Sequence, residues 1–277
     1  MFLSSLSLIS PSLWFISSLG LAQVNITANP ESPATQSATA KPVLAQKPST
    51  KKQVKPILKK SRTKRANLSA VLKKAVANQP PCENAQGLIQ DAVCVVEKIQ
   101  SIYQSASSMT ATFKQAYTYS VYQRTQVSSG KLFLKKPGRM RWDYQTPQNK
   151  VFVSNGDDLW VYEPEKNQAY KKSLKDSELP VAISFLMGKG NLLNEFTPSI
   201  ATETKGKITL VLKPLKSSRS YKELRLVVNR RSFMVEQTTI LDPANNTNTV
   251  TFSNLVINAD LPTSGFEFTP PKGVNIL

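Results

Sequence analysis

Residues 130–144 read Gly-Lys-Leu-Phe-Leu-Lys-Lys-Pro-Gly-Arg-Met-Arg-Trp-Asp-Tyr. Pro137-Gly138 supplies the chemistry of a tight turn, and on either side of it side chains alternate with a period of two, the signature of a hairpin of extended strands. After the turn, Met140, Trp142 and Tyr144 fall on one face, while Arg139, Arg141 and Asp143 fall on the other. A charged exterior and a large apolar interior are written into neighbouring positions.

The pattern extends in both directions. Upstream, Met109, Ala111 and Phe113 alternate with Thr110, Thr112 and Lys114. Before them Leu88, Ile89, Ala92, Val93, Val96, Ile99, Ile102 and Tyr103 recur at helical spacing. Strands are expected over 109–122, 126–135, 139–145, 149–154, 158–163, 167–173, 197–204, 207–213, 221–229, 232–242 and 247–257, with turn residues such as Asn155-Gly156 and Lys205-Gly206 at the breaks. One helical stretch, Leu179–Met187, interrupts them. Strands so closely spaced pair as antiparallel hairpins. The expected fold is α+β, mainly β: a curved antiparallel sheet forming an incomplete barrel, with helices covering its concave face.

On that face Phe113, Leu132, Leu134, Val151, Val153, Leu159 and Val161 are expected to join Met140, Trp142 and Tyr144, and Ile183, Phe185 and Leu186 to form the underside of the covering helix. These side chains either fill the barrel or line a cavity for an apolar ligand. Acyl chains suit such a cavity, since each buried CH₂ contributes roughly 0.8 kcal/mol without a directed polar partner. The pattern alone leaves both readings open.

The rest of the chain narrows the class. There is no histidine among 277 residues, which excludes Ser-His-Asp and Cys-His catalysis and any zinc site that uses His. No metal-ligand spacing or phosphate loop is present, no cofactor is implied, and Asp157, Asp158, Glu163 and Glu165 are expected at solvated turns. Residues 1–22 lack charge and end in Gly20-Leu21-Ala22, the form of a secretory signal; an uncleaved anchor is the alternative. Residues 23–82 read as a disordered Pro/Lys-rich linker, compatible with a short helix at 67–78. The net charge is +18, and 12 basic residues fall between Lys41 and Lys74. This arm is either a spacer or a contact for an anionic surface; without aromatic residues for stacking, nucleic acid is not expected. Cys82 and Cys94 are either a disulfide or two separate thiols.

Four segments together resemble the outer-membrane lipoprotein carrier family, LolA: Met109–Gln115, Gly130–Pro137 with Met140–Tyr144, Val151–Tyr162, and the closing run Phe266–Val274. The resemblance covers about 85–277 and implies that 83–277 is a half-open barrel with a helical lid. It implies a monomeric periplasmic carrier that takes acylated lipoproteins from an inner-membrane ABC transporter to an outer-membrane acceptor or the outer membrane itself. The alternative is a related domain that senses lipid or lipoprotein to regulate an envelope stress response. In the family the basic residue before the proline is typically Arg and bonds to the lid; here it is Lys136, whose ammonium lacks the planar guanidinium fork.

Overall fold

The computed structural model describes residues 82–83, 88–89, 91–174, 185–186 and 190–277. The signal at 1–22, all of the linker but Cys82, the helix at 67–78 and most of the helix at 179–187 lie outside the described residues.

Asp91 decides where the first helix, α1 (Ala92–Ser105), begins. Its backbone is extended, and its carboxylate accepts a hydrogen bond from the Val93 N–H at 2.8 Å, the geometry of an N-cap. The helix therefore starts later than its apolar spacing implied. Ile89 makes a bridge with Glu83 instead, while Leu88 and Val93 are exposed. The buried stripe is Val95, Val96, Ile99, Ile102 and Tyr103. A disulfide joins Cys82 to Cys94 in the first turn of α1, with Cα atoms 5.6 Å apart.

Twelve strands follow: β1 (Ser108–Tyr119), β2 (Arg124–Lys135), β3 (Arg139–Thr146), β4 (Lys150–Ser154), β5 (Asp158–Glu163), β6 (Gln168–Ser173), β7 (Phe196–Glu203), β8 (Lys207–Pro214), β9 (Glu223–Asn229), β10 (Val235–Leu241), β11 (Thr247–Ile257) and β12 (Asn275–Ile276). They form one sheet in the order β12-β6-β5-β4-β3-β2-β1-β11-β10-β9-β8-β7, so β1 and β11 join two meanders and the sheet stays open between its outermost strands. Pairing is antiparallel except where β12 lies parallel to β6, and the Leu277 N–H donates to the Ala169 carbonyl at 2.9 Å. The opposite edge, β7, contains Pro198. A four-residue helix, α2 (Leu192–Glu195), precedes β7. Neither β12 nor α2 is long enough to leave a periodic trace in the sequence.

Cross-strand register sets the inner layer. Leu132 lies opposite Trp142, Trp142 opposite Phe152, and Phe152 opposite Val161; the next row is Leu134, Met140, Ser154 and Leu159. Val151 pairs with Asp143 and Val153 with Arg141, so both valines face the convex side, not the concave one as their apolar character suggested. Val151-Phe152-Val153 is apolar throughout, and only register reveals which of the three points inward.

The convex side is not simply charged and wet. Phe133, Leu261 and Phe266 form a second small core there, and Phe268 packs against Trp160 and Tyr162 with ring centres 5.7 and 5.4 Å away. Arg141 is 5% exposed; it bonds to Asp143 at 2.7 Å and donates to the Gly265 carbonyl at 3.1 Å. The closing run thus covers a face that the alternation assigned to solvent.

Gly130 sits where β2 passes closest to β3. A Cβ there would lie 2.0 Å from the Asp143 carbonyl oxygen and 2.9 Å from the Tyr144 Cα. Because both are backbone atoms, no rotamer change relieves the clash. Gly130→Ala is expected to destabilise the fold by about 3 kcal/mol, read as a lower urea midpoint at unchanged slope.

Candidate functional site

The concave face of β1–β5 is built by the pleat. Phe113 from β1 meets Trp142 and Tyr144 from β3 edge-on, with ring centres 4.8 Å away in both cases, and Tyr144 meets Phe152 at 5.6 Å. Leu132, Leu134, Met140, Leu159 and Val161 complete an apolar floor. The end of α1 and the pair Phe185–Leu186 join it in one continuous core, while the body of α1 runs against β7 in the other half of the sheet. Ile183 lies outside the described residues.

Tyr103 ties the cover to the floor. Its ring packs on Phe185 at 5.0 Å, and its hydroxyl accepts from the Val235 N–H at 3.2 Å. Burial pushes this phenol well above the ordinary tyrosine value, so it stays protonated. Its carbonyl and that of Gln104, left without helical partners at the end of α1, accept hydrogen bonds from Lys136 Nζ at 2.8 and 2.6 Å. A cation at the negative end of a helix is favourable, and hydrogen bonds from a charged donor contribute about 1.5–3 kcal/mol each. Desolvation lowers the Lys136 pKa from its ordinary value.

The floor is buried. Phe113, Trp142 and Phe152 are 1%, 3% and 0% exposed. Beside Leu186 a cavity of about 10 Å³ remains between Ala106, Met109, Leu134 and Lys136, room for one water at most. Among the described residues the floor side chains are buried, so an apolar ligand must displace what covers them to reach it.

A polar layer bounds the floor at one end, and the apolar spacing gave no sign of it. The Tyr144 hydroxyl donates to Gln115 Oε1 at 2.9 Å, and Gln115 Nε2 donates to Asn248 Oδ1 at 2.8 Å. Nearby, Lys150 and Glu163 form a buried ion pair at 2.6 Å. Glu163 is therefore a partner on the inner face rather than a solvated turn residue. Desolvation lowers the Lys150 pKa despite the carboxylate beside it. Gln115 follows Phe113 by two positions, so the period that identified Phe113 also places Gln115 on the floor; its polarity hid it.

One polar atom in this region is unsatisfied. Trp142 Nε1 is buried and has no hydrogen-bond partner among the described residues. An indole N–H in that position forfeits the bond it makes in water, which costs about 1–3 kcal/mol. Among the described residues no helix is long and apolar enough to cross a membrane.

The family described as "Outer membrane lipoprotein carrier protein LolA" matches residues 104–269. The outer-membrane lipoprotein carrier protein of Azotobacter vinelandii is 26% identical over 182 residues, covering 66% of this chain and 87% of the relative. The protein of the same name from Legionella pneumophila (strain Paris) is 27% identical over 183 residues, covering 65% and 88%. Of solved structures, a LolA superfamily protein from Nitrosomonas europaea aligns at 15% identity over 65% of this chain and 98% of its own, with a TM-score of 0.37. A chain of the Pseudomonas aeruginosa MucA/MucB complex aligns at 14% over 65% and 62%, with a TM-score of 0.39. The matched span runs from the end of α1, where Lys136 holds it, through the whole floor to the Phe266–Phe268 cover, and on that match the chain belongs to the outer-membrane lipoprotein carrier family, LolA.

Proposed function

We propose that this protein carries lipoproteins by sheltering their acyl chains on the concave face of β1–β5. It takes them from an inner-membrane ABC transporter and passes them, across the periplasm, to an outer-membrane acceptor or the outer membrane. The observation that carries the reading is a large apolar floor under a cover whose helix end takes two hydrogen bonds from the Lys136 ammonium. Phe113, Leu132, Leu134, Met140, Trp142, Phe152, Leu159 and Val161 form the binding surface, Tyr144 marks its polar border, and Ile183, Phe185 and Leu186 belong to the lid.

Magnitudes support a carrier over a permanent store. Burying an acyl chain of about 16 carbons is worth roughly 12 kcal/mol gross. Opening the cover exposes Phe185, Leu186 and the α1 stripe, at about 1.5–3 kcal/mol for each large side chain, and breaks the Lys136 bonds. The cost of opening is comparable to the burial of one such chain, so closing the empty protein offsets about one of the three chains of a triacylated cargo. Such a balance lets cargo enter and leave without nucleotide hydrolysis on the carrier.

Two outcomes are expected. Phe113→Glu places a carboxylate on the floor and abolishes capture of a triacylated lipopeptide in detergent-free buffer, whereas Thr112→Glu, one residue away on the convex side, leaves capture intact. Equal capture by both variants would remove the floor as the binding surface. Lys136→Met frees the end of α1, so amide hydrogen exchange across residues 99–106 should accelerate about tenfold while urea stability falls by about 1–3 kcal/mol. Unchanged exchange would show that Lys136 is no latch.

A further inference from the structure

We propose that the Trp142 indole N–H receives the ester carbonyl at the head of a glyceryl-linked acyl chain, making Trp142 a specificity residue for acylglyceryl cargo and not only a patch of apolar wall. The inference rests on the reading that the concave face shelters acyl chains. It begins from an unusual local balance of donors and acceptors. Trp142 is 3% exposed, and its Nε1 has no partner among the described residues. Across the strands it faces Leu132 and Phe152, and the Phe113 ring lies 4.8 Å from its own. None of these offers an acceptor. The polar groups on the same face are already engaged: Gln115 Oε1 accepts from the Tyr144 hydroxyl, Gln115 Nε2 donates to Asn248, Ser154 Oγ accepts from the Gly156 N–H, and Lys150 pairs with Glu163.

The wall thus presents one donor and no spare acceptor beside it, and this selects among lipid head chemistries. An ester brings acceptors alone, so its carbonyl pairs the indole and leaves nothing of its own unsatisfied. An N-acyl amide brings a carbonyl but also an N–H that this wall gives no partner. A free fatty acid brings a carboxylate, whose charge is strongly disfavoured in an apolar enclosure where the nearby Lys150 ammonium is already paired with Glu163. Water satisfies the indole while the cover is open, but an entering chain expels that water, and an ester at the head of the chain replaces it. The unpaired donor in the closed empty state also works in favour of loading, because opening relieves it.

The test uses the full chain and two fluorescently labelled probes that differ only in the glyceryl linkages: an N-palmitoyl cysteinyl lipopeptide carrying a dipalmitoyl glyceryl group, and its dialkyl ether counterpart. Wild type is expected to bind the diester about tenfold more tightly than the diether, the size of one buried hydrogen bond. Trp142→Phe keeps an aromatic side chain and removes the N–H, and it should bind the two probes with equal affinity. Equal affinity of wild type for the two probes, or an ester preference that survives in Trp142→Phe, overturns the proposal while leaving acyl binding intact. Failure of wild type to bind either probe overturns the acyl-binding reading, and this proposal with it.

Discussion

A sheet of twelve strands that does not close on itself leaves a broad apolar floor that no strand pairing can cover. Hydrogen bonds between strands satisfy the backbone and do nothing for the inward side chains. Among the described residues the end of α1 and Phe185–Leu186 lie in the same core as the floor of β1–β5, and their hold converges on Tyr103. One residue packs its ring on Phe185, takes the Val235 amide on its hydroxyl and offers its carbonyl to Lys136. The helix end, the lid pair and the far half of the sheet are therefore linked through a single side chain and its backbone oxygen. Movement of the helix end alters contacts on all three.

The floor also has a graded chemistry. Leu134, Met140 and Leu159 lie at the end nearest Lys136, the aromatic group of Phe113, Trp142 and Phe152 comes next, and the Tyr144–Gln115–Asn248 chain with the Lys150–Glu163 pair closes the far end. An acyl chain is uniform along its length, whereas the group that joins it to a protein is polar. A floor that is apolar at one end and hydrogen-bonding at the other gives such a ligand a preferred direction, and the unpaired Trp142 donor stands between the two zones.

Much of this was legible from residue order, for reasons that can be stated. Period-two alternation over 109–115 and 139–145 placed Phe113, Met140, Trp142 and Tyr144 on one face, and the pairing in the structure agrees. Where alternation lapses, as in Val151-Phe152-Val153, hydrophobicity carries no directional information and register alone shows that Phe152 is the inward residue. The start of α1 was read too early because Leu88 and Ile89 continue the helical spacing, while the capping preference of Asp91 stops the helix at Ala92. The polar layer was missed because Gln115, Asn248 and Glu163 look like surface residues until a partner in a distant strand is known. The cover on the convex side was hidden in the same way: Arg141 reads as exposed, and only the return of Phe266 and Phe268 buries it.

The two free margins of the sheet are unlike. At one, Asn275–Ile276 lies along β6 as a short twelfth strand; at the other, β7 contains a proline, which has no amide hydrogen to offer a neighbour. Open margins invite a second molecule to continue the ladder, and repeated addition leads to fibres. Under the proposed opening a greasy surface is uncovered, and that is the moment most exposed to such a fate. Here the remedy belongs to the backbone of the margins themselves, the short β12 on one side and Pro198 on the other.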